Sequence, residues 1–317
     1  MSAHHHGHAP HATRAFALGT LLNLGYTVFE ALIGWHAGSL ALLSDALHNL
    51  GDVLGLGLAW AAAMLALRRP TARHTYGWRR ATQLSPLANA LLLVGFSGAL
   101  IGEALRRLAA PPAVAGGLVT AVAAVGILVN LGSAALFHRG QHGDLNRRSA
   151  YLHLLADAGV SLAAVLAGLG MSYLGWRWLD PALALTVSLV IVVASWGLLR
   201  SSFQQVMDAV PEHIDSLEVE NFLRGLAGVQ ALHHLHIWPL GANEIALTAH
   251  IVRDREEGHD AFIDQTIAAL EHRFGINHAT LQIEYGGECR PSDYNQGLNP
   301  ASCAGQQSNR RGARNDQ

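Results

Sequence analysis

The chain has 317 residues, 50% of them hydrophobic and only 14% charged, with a formal net charge of −2. Soluble domains carry about 25% charged residues, so an ordinary soluble globular protein is excluded over most of the length, and the near-neutral balance leaves no basic face for nucleic acid. Two cysteines, Cys289 and Cys303, form no CxxC pair, so neither a disulfide framework nor a thiolate zinc site is indicated.

The first 13 residues are histidine-rich: His4, His5, His6, His8 and His11. An expression tag would look similar, but Gly7 and Ala9 interrupt the run, as expected of a natural metal-collecting tail. A bilayer-crossing helix needs roughly 20 mostly apolar residues. Six stretches qualify: Phe16 to Trp35, Leu40 to Leu67, Gln83 to Leu105, Val114 to Phe137, Ala150 to Tyr173 and Pro181 to Leu199. The first two are separated so narrowly, at Ala37-Gly38, that they form a hairpin. Further spans follow the first, so it reads as a transmembrane helix and not as a cleaved leader.

The chain contains no lysine, so arginines set the orientation. An internal N-terminus puts Arg14, Arg68, Arg69, Arg73, Arg79, Arg80, Arg139, Arg147, Arg148 and Arg200 on the cytoplasmic side. Arg106, Arg107 and Arg177 fall opposite, so both termini are expected in the cytoplasm. Between spans four and five, His138, His142 and Asp144 either gather metal weakly or are idle surface groups.

Beyond Met207 charge rises and the periodicity changes. Residues 212–226 have helical spacing, Val229 to Trp238 and Glu244 to Val252 read as strands about a Pro-Leu-Gly-Ala-Asn turn, Asp260 to Phe274 as a helix and Ala279 to Tyr285 as a strand. The expected architecture is an α-helical membrane protein with six transmembrane helices, followed by a small cytoplasmic α+β domain in α-β-β-α-β order. Its expected parts are the tail 1–13, the membrane domain 14–203, the cytoplasmic domain 207–286 and a disordered polar segment 287–317.

Ionisable residues inside a span are costly and therefore functional candidates. The second span carries His48-Asn-Leu-Gly-Asp52 and the fifth His153-Leu-Leu-Ala-Asp157. Positions i and i+4 share a helical face, so each helix offers an imidazole beside a carboxylate. If the two faces meet, they make a four-ligand site of two nitrogens and two oxygens. Such a set suits zinc and disfavours copper(I), magnesium and calcium; cobalt, nickel, cadmium and iron(II) stay open. His–Asp hydrogen bonds that only stitch helices together are the alternative, and the repetition on two spans argues against it. Metal needs neutral histidine and ionised aspartate, so it competes with protons and proton antiport is expected. Asp45, one turn before His48, is either a transient ligand or a partner that orients His48. Glu30 and Asn23 in the first span either line the pathway or pack helices. No HExxH occurs, so a metalloprotease is not expected, nor any other enzyme. A membrane-bound metal sensor is the second functional class.

Several segments together resemble the cation diffusion facilitator family: Ser39-Leu-Ala-Leu-Leu-Ser-Asp-Ala-Leu-His48-Asn-Leu-Gly-Asp52, Tyr76-Gly-Trp-Arg, Tyr151-Leu-His153-Leu-Leu-Ala-Asp157, Asp180-Pro181, Met207-Asp208-Ala-Val-Pro211 and His236-Ile-Trp238. The likeness runs from about Phe16 to Tyr285 and is greatest to the zinc-exporting branch, which has HxxxD on both helices. It implies a homodimer in a bacterial inner membrane, alternating access, and zinc export against protons. It also implies a metallochaperone-like tail that dimerises and senses metal, with zinc as transported and regulatory ion and no prosthetic group. His233, His250 and Glu284 match positions that bind regulatory zinc in relatives, with Gln282 where some have histidine. His234 and His236 alternate with His233 along a strand, so only part of this cluster is expected to face one site.

Overall fold

The computed structural model describes residues 10–138, 145–254 and 258–285. The histidines at positions 4–8, His142, Asp144, Cys289, Cys303 and the segment 287–317 lie outside the described residues. Six long helices come first: α1 (Pro10–Ala37), α2 (Leu40–Ala66), α3 (Ala81–Ala109), α4 (Gly116–His138), α5 (Leu145–Leu174) and α6 (Leu179–Val206). A smaller set follows: α7 (Ser216–Arg224), β1 (Val229–Gly241), β2 (Glu244–Arg253), α8 (His259–Phe274) and β3 (His278–Tyr285). Among the described residues, α2 to α6 are each long and apolar enough to cross a membrane. The 28 residues of α1 give it ample length for the sixth span. Large apolar side chains stand outward on these helices, such as Trp60 at 70% and Val193 at 75% exposure. In water that would be a liability; against lipid tails it costs nothing.

The chain forms two compact units, one of residues up to Ala61 together with Ser85–Arg200, the other of Ala62–Leu84 and the chain from Ser201 onward. Small residues set the packing of the first. A Cβ on Gly168 of α5 would meet Gly116 O and Thr120 N of α4, each at 2.8 Å, so these backbones approach as closely as glycine permits. Tyr26 of α1 uses the space left by Gly126 of α4, and its hydroxyl donates to Val122 O at 3.4 Å and to Glu30 Oε1 at 2.9 Å.

The α1–α2 hairpin turns on Gly38, whose φ of +66° favours glycine. At its far side the start of α2 is capped by a residue 140 positions away: Asp180, fully buried at the start of α6. Asp180 accepts from Ser39 Oγ at 2.5 Å, Leu40 N at 2.9 Å and Ala41 N at 3.3 Å, satisfying free donors of the helix start. Arg107 donates to Gly38 O at 2.6 Å, and both Arg106 and Arg107 pair with Glu103. The two arginines that run against the orientation rule are thus partly neutralised within their own helix.

In the second unit β1 and β2 are antiparallel, β2 and β3 parallel, in the order β1-β2-β3. Ile245, Leu247, Ala249 and Ile251, every second residue of β2, pack with Val219 and Leu223 of α7 and Leu270 of α8. Helix α7 is shorter than its periodicity suggests. Asp215 starts it by accepting from Leu217 N at 2.9 Å, and Gly225 ends it. The expected five-residue turn also shrinks, because β1 continues through Pro239 and Leu240 to Gly241, which pairs with Glu244. Proline is tolerated there since β1 is an edge strand, where no ladder hydrogen bond needs its missing N–H. The α2–α3 connection belongs to this unit: Gln83 Nε2 donates to Pro239 O at 3.0 Å, Arg80 pairs with Asp208 at 2.8 Å, and Arg79 pairs with Glu244.

Removing the carboxylate of Asp180 strands the donors of Ser39, Leu40 and Ala41 in a dry interior. Asp180→Ala is expected to cost about 2–4 kcal/mol, read as a lower melting temperature of the detergent-purified protein; an unchanged melting temperature would contradict the capping role.

Candidate metal sites

On α2 and α5 the two HxxxD repeats face one another. His153 Nε2 lies 2.8 Å from Asp52 Oδ2 and 3.6 Å from Asp157 Oδ2, and His48 Nε2 lies 3.6 Å from Asp157 Oδ1. The rings of His48 and His153 meet edge to face with centroids 5.6 Å apart. Ligand atoms of His48, His153 and Asp157 all lie within 4.8 Å of one another, and Asp52 joins them through His153. The helical repeat brings the pairs to one face, and the tight α4–α5 contact fixes α5, on which two of them ride.

Burial within the quartet is uneven. The Asp157 side chain is 3% exposed, whereas those of His48, Asp52 and His153 are 29%, 40% and 42% exposed. Asp157 Oδ2 is buried and accepts no hydrogen bond. A carboxylate oxygen in that position calls for a cation or a proton, and a divalent ion between two imidazoles and two carboxylates supplies one.

The other membrane candidates lie on α1 and α2. Asp45 is 3% exposed and feels the charges of Asp157 and His48. Glu30, fully buried, accepts from Tyr26 and neighbours Asp45 and Asn49. Asn49 is buried beside Glu30, and Glu30 and Asp45 each keep one oxygen without a well-formed hydrogen bond. Asn23 is half-buried with an unpartnered side-chain oxygen, one turn from Tyr26 and Thr27. Asn49 went unremarked in the sequence, although it sits inside the repeat itself.

The second candidate lies on β1, β2 and β3. Glu284 bridges two histidines: Oε2 is 3.3 Å from His233 Nε2, and Oε1 is 2.9 Å from His250 Nδ1. Gln282 Nε2 donates to the same Oε1 at 2.9 Å. Cross-strand pairing supplies the reason, since His233 faces His250 and His250 faces Gln282. The ligand atoms of His233, His250 and Glu284 lie within 4.8 Å of one another. Burial lowers the pKa of His233 and of His234, which favours the neutral imidazole with its free lone pair. His233 Nδ1 is itself buried without a partner. His278 is elsewhere, edge-on to Tyr76 with centroids 5.6 Å apart, and His138 stands beside Tyr151.

Comparison with known proteins places both regions. Residues 16–207 match the cation efflux transmembrane domain, and residues 211–285 the cytoplasmic domain of cation efflux proteins, ZT_dimer. The chain is 36% identical to the zinc transporter ZitB of Escherichia coli (strain K12), over 89% of this chain and 91% of that protein. It is 32% identical to the metal cation efflux system protein CzcD of Cupriavidus metallidurans, over 94% of each. It is likewise 32% identical to a Bacillus subtilis (strain 168) protein named cadmium, cobalt and zinc/H(+)-K(+) antiporter, over 88% and 91%.

The unequal burial of the two aspartates predicts unequal losses. In a background with His233, His250 and Glu284 changed to alanine, Asp52→Ala is expected to weaken zinc binding about tenfold or more, and Asp157→Ala to weaken it further, as read by chelator competition in detergent. Equal affinity in both variants would contradict the geometry.

Proposed function

The chain belongs to the cation efflux family, and from that membership we propose that it carries a divalent metal ion, zinc foremost, out of the cytoplasm in exchange for protons through His48, Asp52, His153 and Asp157. The observation that supports this most is the buried carboxylate of Asp157, one oxygen of which has no hydrogen bond, set between imidazoles from two different spans. A structural zinc site is closed by four ligands that surround the ion. Here three of the four side chains are partly open, as a site that must load and release requires.

Each ligand that takes up a proton ceases to hold the ion. A histidine gains a charge and loses its lone pair; an aspartate loses its charge. Proton entry therefore ejects metal, and metal entry ejects protons, which is antiport once the site opens to each side in turn. Asp45, held beside both Asp157 and Glu30, is placed to steady His48 during that exchange.

Zinc is favoured because two imidazoles and two carboxylates suit its tetrahedral preference, and because the Escherichia coli relative is named a zinc transporter. Cadmium and cobalt are the rivals, since the Bacillus subtilis relative is named for all three and borderline metals share these ligands. The arginine distribution supports an inner-membrane protein with both termini in the cytoplasm. The tail then acts as a cytoplasmic dimerisation domain, with His233, His250 and Glu284 holding a regulatory ion.

Purified protein in liposomes, given a pH gradient and a panel of metals, tests this reading. Zinc uptake driven by the gradient and abolished by Asp157→Ala is expected. Zinc flux indifferent to the gradient would remove the antiport, and cobalt or cadmium flux far above zinc would reassign the substrate.

A further inference from the structure

Along a regular strand His233 and His234 would point to opposite faces of the sheet. They do not, because β1 is irregular between His233 and His236: the register against β2 shifts there, and His234 takes a φ of +51°. A left-handed conformation is uncommon for any residue other than glycine and is held only where the surroundings impose it. Its effect is to swing the His234 ring round to the two histidines already described. The ring centroids are 5.4 Å apart for His233–His234, 4.8 Å for His234–His250 and 5.1 Å for His233–His250.

These three separations have a simple reading. With Zn–N bonds of about 2.0 Å, two imidazoles sharing one tetrahedral zinc have ring centroids about 5.2 Å apart. All three pairs fall close to that value, and a side-chain rotation of His234 would bring a ring nitrogen to the group that His233, His250 and Glu284 already form. His236 does not join them: it is exposed, and its ring is 6.3 Å from His234.

We propose that His234 is the fourth ligand of the cytoplasmic-domain site, so that this site takes zinc through three imidazoles and the Glu284 carboxylate. The inference rests on the reading that the domain binds metal at His233, His250 and Glu284, and extends it to a position that strand alternation hides. Three nitrogens and one oxygen select a borderline ion such as zinc or cobalt over magnesium and calcium, which prefer oxygen. The bulge is the device that makes this set, since without it the strand could present only one of two successive histidines.

The test uses the full chain with His48, Asp157 and the N-terminal histidines His4, His5, His6, His8 and His11 changed to alanine, so that tight zinc binding reports the tail. X-ray absorption of protein loaded with one equivalent of zinc is expected to count three imidazoles. His234→Gly keeps a backbone that glycine adopts freely and deletes only the ring. It is expected to reduce the count to two and weaken zinc binding at least tenfold, while His236→Gly changes neither. His234→Asn, which also tolerates the left-handed conformation, should match His234→Gly and separates ligand loss from misfolding. If His250→Ala abolishes binding but His234→Gly and His234→Asn leave affinity and imidazole count unchanged, the fourth ligand is wrong and the three-residue site stands. If the background protein binds no zinc tightly, or His250→Ala has no effect, the underlying site fails and this inference fails with it.

Discussion

Among the described residues three aspartates are buried inside the helical bundle, Asp45, Asp157 and Asp180, and the last two differ in how their charge is met. Asp180 has its charge spread over three donors at the start of α2 and is complete as it stands. Asp157 is nearly as buried but keeps an oxygen without a hydrogen bond, 3.6 Å from His153 Nε2. A low-dielectric interior tolerates Asp180 and leaves Asp157 in need of a cation or a proton. Structure and transport divide along that line. One carboxylate ties α6 to the α1–α2 hairpin, and the other, facing His48 and His153, is the one at which the proposed exchange of ion and proton takes place.

Small residues make this geometry possible. Without a hydrophobic driving force between helices in lipid, close backbone contact must supply the packing, and Gly116 and Gly168 permit it between α4 and α5. Gly126 likewise admits Tyr26, which hydrogen-bonds Glu30. The polar layer of Glu30, Asp45 and Asn49 lies behind the quartet, and several of its atoms are also short of partners. The tail solves a similar chemical problem differently. Its histidines come from paired strands, and Glu284 satisfies two of them at once, so that site is assembled by cross-strand register and the membrane quartet by helical repeat.

Features that depend on local periodicity were legible in the sequence. Apolar run length gave the spans, a repeated four-residue spacing gave the quartet, and alternation gave the strands of the tail in order. What was not legible depends on partners far along the chain or on departures from regularity. Asp180 is read as part of a motif, but its task depends on backbone donors about 140 residues away. The cut of the hairpin turn to Ala242-Asn243 follows from an edge strand that accommodates Pro239, which the residue types at a turn do not reveal. His234 is the sharpest case. Alternation sends it away from His233, and only the bulge, visible in three dimensions, brings it back. Asn49 is hidden for a plainer reason: it carries no charge, so the cost of burying an ionisable group does not mark it.

Where an ion sits between α2 and α5 decides the proposed function. Anomalous scattering at the zinc edge from crystals of the zinc-soaked protein locates it directly. The expected result is a peak within about 2.0–2.2 Å of nitrogens of His48 and His153 and oxygens of Asp52 and Asp157. Zinc bound elsewhere in the membrane bundle, with this quartet empty at saturating metal, would contradict it.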